Sequence, residues 1–261
     1  MGELDNKVAV VTGGSRGIGL GCAERLAEEG ADLLIAATSA VRLAAAAQRI
    51  AGKTGRRVEW CATDLRTPEG CQAVAAKTLS ALGGCDILVN CAGATQSGRF
   101  PDQPDEDWMD GFALKFFGAV RLCRLLWPEI KKRHGTVINI VGGASRTPSA
   151  NFMVGGAVNA ALSNFSKALA DQGLKDDVNV NWILPGMTQT ERLNELQAKR
   201  AELAGKTVEE IRQETLAAQG LRRIGEPADT AHLVAFLCSP RSRHIHGAGI
   251  AVDGGATKGV F

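Results

Sequence analysis

Short, unbroken apolar runs alternate along the chain with longer stretches of mixed polarity. Val8–Val11, Leu33–Ala37, Val58–Ala62, Ile87–Asn90, Val137–Val141, Val178–Leu184 and Ile250–Val252 are apolar almost throughout. Runs this short fit strands buried on both faces, as in a parallel sheet, where no solvent side demands alternation. Between them, Ile18–Glu29, Val41–Lys53, Pro68–Leu82, Asp105–Lys132, Ala157–Gln172 and Pro227–Cys238 are helical in composition. Thr67 before Pro68 supplies an N-cap with Pro at the first helical position. The strand–helix rhythm predicts an α/β fold: a doubly wound parallel sheet with helices on both faces and right-handed crossovers. Its ligand crevice is expected at the carboxyl ends of the strands. No internal repeat or Pro/Ser-rich linker interrupts residues 1–261, so they read as one domain.

One segment departs from the rhythm. Glu191 to Gln219 is polar and helical, with Gly205 as a break between two short helices. It follows a strand end, so a helical lid at about residues 188–220 would overhang the crevice. The plainer reading is a solvated helix pair at the surface.

The strongest local chemistry lies after the first strand, at Thr12-Gly13-Gly14-Ser15-Arg16-Gly17-Ile18-Gly19. Glycines let the backbone turn tightly and approach a pyrophosphate, and the helix that follows offers unpaired N–H groups with a positive dipole end. The flanking strand and helix are the context that gives such a loop meaning. A carboxylate at the end of the second strand would bind the ribose 2′-hydroxyl of NAD. That place reads Ala36-Ala37-Thr38-Ser39, with Arg16 in the loop and Arg42 one helical turn on. Lack of an acid beside a guanidinium favours a 2′-phosphate, hence NADP(H) over NAD(H), through Arg16 with Thr38 and Ser39. Arg16 as a surface ion-pair residue is the alternative.

Composition narrows the partners. Thirty basic against twenty-eight acidic residues leave a formal charge of +2 with no long like-charged block, which argues against nucleic acid or an anionic membrane. No apolar run reaches the length of a membrane span. Seven scattered cysteines without a Cys-x-x-Cys pair read as buried free thiols. With a polar start and no signal-like segment, they point to a cytoplasmic protein. The four histidines have no metal-ligand spacing, so no metal site is expected, and a small-molecule substrate is. The count that changes the picture most is tyrosine: there is none.

That zero matters because the chain resembles the short-chain dehydrogenase/reductase family over nearly its whole length. Thr12–Gly19 matches the family's Thr-Gly-x-x-x-Gly-x-Gly loop, Asp64-Leu65 its adenine-binding Asp, and Asn90-Cys91-Ala92-Gly93 its Asn-Asn-Ala-Gly. Pro185-Gly186-Met187-Thr188-Gln189-Thr190 looks like its Pro-Gly segment at the nicotinamide, and Val252-Asp253-Gly254-Gly255 like its C-terminal signature. The Ala-Thr-Ser after the second strand is similar to NADPH-using 3-oxoacyl-carrier-protein reductases. The resemblance implies a seven-stranded Rossmann-like sheet, usually in a homotetramer. It assigns cofactor contacts to Gly13, Ser15, Arg16, Gly17, Ile18, Gly19, Thr38, Ser39, Asp64, Leu65, Asn90, Ala92, Gly93, Pro185, Gly186 and Thr188. It also pairs the Asp105–Lys132 and Ala157–Gln172 helices across a two-fold axis. Phe116, Phe117 and Trp127 give the first of these apolar surface for a homodimer or homotetramer contact.

The family's catalytic Asn, Ser, Tyr and Lys fall at Lys115, Gly142, Gly155 and Asn159, so all four differ. Decay of an ancestral enzyme is one reading. The other is a remodelled site, in which a cation enters at 115 as one leaves 159, and Gly142, Gly143, Gly155 and Gly156 clear space for a larger pocket. Lys115 would then serve as acid or base, Asn159 would bind the nicotinamide ribose, and Ser145, with Ser149 and Asn151, would orient the substrate. Three functions stay open: NADP(H)-dependent hydride transfer, a non-redox lyase or isomerase reaction, or a catalytically silent nucleotide-binding subunit.

Overall fold

The computed structural model describes residues 2–259. Strands β1 (Val8–Thr12), β2 (Asp32–Ala37), β3 (Val58–Ala62), β4 (Ile87–Asn90), β5 (Thr136–Ile140), β6 (Asn179–Pro185) and β7 (Gly249–Val252) form one sheet. Their order is β3-β2-β1-β4-β5-β6-β7, with every neighbouring pair parallel. The apolar runs fall on these strands, and the pleat explains why most of them carry little polar alternation, Glu59 in β3 and Asn179 and Asn181 in β6 being interruptions. Ala9, Val11, Leu33 and Ile35 enter one buried cluster, while Val10, Leu34, Ala36 and Leu88 enter another on the opposite face. The chain order reverses between β1 and β4, the switch point at which this architecture opens a crevice.

Helices α1 (Gly17–Glu28), α2 (Ala40–Thr54), α3 (Pro68–Leu82) and α9 (Pro227–Cys238) occupy the expected stretches. Ser39 and Thr67 cap α2 and α3 by accepting from the Arg42 and Gly70 amides, and Gly55 and Gly83 end them in the left-handed conformation. Two helices differ from expectation. The stretch Asp105–Lys132 is not one α-helix: α4 (Asp105–Gly111) and α5 (Gly118–Lys132) are joined by a π-helical segment, Phe112–Phe117. Helix α6 (Met153–Asp176) starts before the Gly155-Gly156 pair rather than after it. The β6 strand is followed by α7 (Glu191–Ala204) and α8 (Val208–Gln219), with Gly205 left-handed between them.

The π-segment widens the helix where it passes the crevice, an arrangement frequent at functional sites. Glycines hold it in place on both sides. A Cβ at Gly111 would lie 3.1 Å from Thr95 Cγ2 and Val154 Cγ1, and one at Gly118 would lie 3.1 Å from the Leu65 carbonyl oxygen. The apolar surplus expected on this helix is smaller than its sequence suggests. Phe116 packs edge-on against Phe112, Phe117 and Phe165, and the Trp127 indole donates to Asp176 at 2.8 Å. Of the three residues named for a contact between copies, only Phe117 is exposed, at 45%. Among the described residues, no helix is long and apolar enough to cross a membrane.

Candidate functional site

The glycine-rich turn has the backbone its sequence demands. Gly13 and Gly17 have φ of 66° and 57°, a region that costs residues with a Cβ. Gly19 is excluded from carrying a side chain by contact, since its Cβ would lie 2.3 Å from the Gly13 carbonyl oxygen. Thr12 ties the turn to the neighbouring strand end: its hydroxyl accepts from the Cys91 and Ala92 amides, both at 2.9 Å. Helix α1 follows from its N-cap Arg16 with no side-chain cap, unlike α2 and α3, and with no acid in its first turn. Its first N–H groups and positive dipole end therefore face the crevice uncompensated, between the half-buried Ser15 and Ile18. This end fits the phosphates of a dinucleotide.

Around the expected ribose position, Thr38 is exposed and Ser39 is spent partly on the α2 cap. Arg16 and Arg42 both donate to one carboxylate oxygen, Oε2 of Glu191, at 3.2 and 3.1 Å. Glu191 is the first residue of α7, so the helix pair is tied to the cofactor end by an acid placed between two guanidinium groups. Both readings of Arg16 meet here: it makes a surface ion pair, and its partner sits as an anion where a 2′-phosphate is expected. Asp64 is exposed and accepts from the Arg66 amide at 3.0 Å and from the Arg66 side chain, which also binds Asp110. Leu65 is buried in the core, so only its backbone is available to a ligand.

Asn90, assigned to the cofactor by the resemblance, is also part of the sheet's own hydrogen bonding. Its side chain turns into the sheet, donating to Asn139 Oδ1 at 2.9 Å, and Asn139 in turn donates to Ser166 at 2.8 Å. This buried chain braces the ends of β4 and β5. Asn139 and Ser166 carry no motif signal; a polar residue inside the apolar run Val137–Val141 is the one sequence cue, and it points to Asn139 alone. On the opposite wall, the Gly186 amide donates to the Val252 carbonyl at 3.0 Å, and a Cβ at Gly186 would reach Asp253 at 2.7 Å. Pro185 closes β6, and the Thr188 hydroxyl donates to the Gly186 carbonyl at 3.1 Å. Arg223 is held by Asp229 through two contacts of 2.8 and 2.7 Å, whereas Arg222 lines a groove of about 520 Å³ beside Met187 and Val252.

Lys115 and Asn159 meet at the end of β5. The Lys115 stem lies across Gly93, where a Cβ would come within 2.9 Å of its Cδ, and its ammonium donates to the Val141 carbonyl. Removal from water lowers its pKa to about 8, with the Arg192 charge acting in the same direction and the Cys91 thiol opposing. Asn159 is only 5% exposed, its amide nitrogen lies 3.2 Å from where a Cβ at Gly142 would stand, and its Oδ1 has no hydrogen-bond partner. A buried amide oxygen left unpaired is costly, and a ligand hydroxyl would satisfy it.

The four glycines do not act alike, and this revises the expected enlargement of the pocket. Gly142 has φ of 128°, so its absent side chain is a backbone requirement. Gly155 is not open: the Phe152 ring reaches back over it, with ring carbons 2.0 to 2.6 Å from where a Cβ would stand. Gly143 and Gly156 have nothing closer than 3.5 Å. Space therefore remains beside Gly143 and Gly156, while an aromatic ring fills the place at Gly155. The Ser145 hydroxyl is donated to the Gly142 carbonyl at 3.0 Å, leaving it only as an acceptor for a substrate; Ser149 and Asn151 are exposed.

A family model described as enoyl-(acyl carrier protein) reductase matches residues 13–257. An uncharacterised oxidoreductase of Mycobacterium tuberculosis is 35% identical over 259 residues, covering 98% of this chain and 94% of the relative. A 3-oxoacyl-(acyl-carrier-protein) reductase of Vibrio cholerae is 35% identical over 257 residues, covering 97% and 98%. The crystal structure of L-sorbose reductase from Gluconobacter frateurii, complexed with NADPH and L-sorbose, superposes with a TM-score of 0.96 at 35% identity, covering 100% of this chain and 99% of that one.

Proposed function

Because the chain belongs to the short-chain dehydrogenase/reductase family, we propose that it is an NADP(H)-dependent oxidoreductase of small carbonyl or alcohol substrates with a remodelled proton-transfer site. The family is one of NAD(P)-dependent oxidoreductases, and the NADPH-bound L-sorbose reductase supports the choice of cofactor. The uncapped α1 and the Gly13–Gly19 turn would hold the pyrophosphate. Arg16 and Arg42 would hold the 2′-phosphate in place of Glu191, and Asn159 would accept from a nicotinamide ribose hydroxyl. When bound, NADPH supplies the hydride.

One observation carries the remodelled reading: Lys115 is turned inward to the end of β5. There it replaces the family's Tyr–Lys pair as proton donor. Its ammonium gives a proton to the carbonyl oxygen of the substrate as the carbon is reduced, and the neutral amine regains one from water. Ser145 accepts from a substrate hydroxyl. Helices α7 and α8 act as the lid, latched through Glu191 to Arg16 and Arg42 until the 2′-phosphate takes the place of that carboxylate. NADPH oxidation against a panel of small aldehydes and ketones tests the proposal; cofactor binding with no turnover on any of them would favour a silent nucleotide-binding subunit.

Two expectations follow. NADPH should bind more tightly than NADH, and Arg16→Ala should weaken NADPH about tenfold or more, since a charge-assisted contact contributes roughly 1.5–3 kcal/mol. Fluorescence titration measures both, and equal affinity for the two cofactors would count against the role of Arg16. The chain should also assemble as a homodimer or homotetramer through α5, the π-segment before it and α6, where Phe117, Leu125 and Met153 are 45%, 37% and 38% exposed. Sedimentation at micromolar concentration checks this, and a monomer would remove it.

A further inference from the structure

Two cations flank the loop that follows β4. Lys115 lies over Gly93, and Arg192, from the lid helix α7, reaches across to donate to the Thr95 carbonyl at 2.7 Å. Gly93 and Thr95 are two residues apart, so the two side chains meet the chain within about 7 Å of each other. Each has a neutral backbone oxygen as partner, and among the described residues neither has a carboxylate within ion-pairing distance. Most of their donors remain unused: an ammonium has three and a guanidinium five. Arg192 is exposed along part of its length, yet its pKa is held low, first by partial loss of solvent around the guanidinium and then by the Arg16 charge, which outweighs the opposing Glu195.

The contrast with the other end of the crevice is informative. Arg16 and Arg42 already share the Glu191 carboxylate, whereas Lys115 and Arg192 face the crevice without an acid. Phosphates of the cofactor belong at α1, on the β1 side. Lys115 sits at the end of β5, two strands away and therefore roughly 10 Å across the sheet. Two like charges brought together at a partly dry site repel one another, and an anion between them relieves that repulsion.

We infer that the substrate is an oxo acid: its carboxylate pairs with Arg192, bidentate on the guanidinium fork, while its carbonyl faces Lys115. This rests on the reductase reading for the carbonyl step but not for the anion site. A short spacing between carboxylate and carbonyl suits two cations set on one loop, as in 2-, 3- or 4-oxo acids. It also assigns a task to the lid, whose first turn supplies both the latch to the cofactor end and the arginine that reads the substrate.

Isothermal titration of the NADPH-loaded protein with pyruvate, acetoacetate and 4-oxopentanoate, each beside its methyl ester, tests this directly. At least one acid should bind tenfold or more tightly than its ester. Arg192→Gln should erase that preference while leaving NADPH affinity within about twofold. Esters binding as well as acids in every pair would overturn the inference. So would an Arg192→Gln variant that loses NADPH affinity yet keeps the acid preference, since the arginine would then serve a cofactor phosphate. Acid-selective binding without NADPH oxidation would keep the anion site and remove the reductase reading instead.

Discussion

Lys115→Met is expected to lower turnover by about 10²- to 10⁴-fold, the usual contribution of a positioned general acid, while NADPH still binds. Methionine keeps the unbranched stem that lies over Gly93 and removes only the ammonium. The pH profile provides an independent check. The Lys115 pKa is lowered from 10.5 to about 8, chiefly by its removal from water, so the proton-donating form disappears above about pH 8. Carbonyl reduction by the natural protein should therefore fall along one limb centred near pH 8. Stability should move the other way. Between pH 8 and 10.5 the unfolded chain binds a proton at this lysine that the folded chain does not, so stability rises with pH across that window. Lys115→Met should lose this rise in a series of thermal melts. A rate profile without the limb, or a methionine variant of unchanged turnover, would remove Lys115 from the chemistry.

Gly155→Tyr, which puts a tyrosine where the family resemblance would place one, should destabilise the protein without raising its activity. The Phe152 ring already occupies the volume that the new Cβ and phenol would enter, with the nearest ring carbon at 2.0 Å. Forcing extra atoms into a filled site costs about 1–3 kcal/mol. For a chain of this size that corresponds to a fall in Tm of several degrees. Phe152→Gly combined with Gly155→Tyr should recover most of the loss, because the two rings compete for one space. Additivity of the two changes in calorimetry would show that they do not. Gly142→Ser should be poorly tolerated for a separate reason, the φ of 128° that a serine rarely adopts. Glycine at 142 thus answers to a positive-φ backbone, and glycine at 155 to the Phe152 ring folded back over it.

What the sequence by itself determined is the part of this protein that depends on near neighbours and on backbone limits. The apolar runs fell on the strands most clearly at β1, β2, β4, β5 and β6, where residues buried on both faces leave little polar alternation to misread, while the edge strands β3 and β7 are only partly buried. The Gly13–Gly19 turn was legible because glycine takes its positive φ values at least cost and alone fits its closest contact, at Gly19. The lack of tyrosine was visible as a plain count. Tertiary structure alone decided where the remaining groups point. Phe152 gave no sign that its ring would cover Gly155, and the widened turn at Phe112–Phe117 was hidden inside a stretch with ordinary helical composition. Glu191 lies 175 residues from Arg16 and 149 from Arg42, yet one of its oxygens joins both. Arg192 meets the Thr95 carbonyl across 97 residues. Periodicity records which face of an element is buried, but such pairings arise only when the elements pack, because they depend on the angles and separations at which the sheet and its helices finally meet.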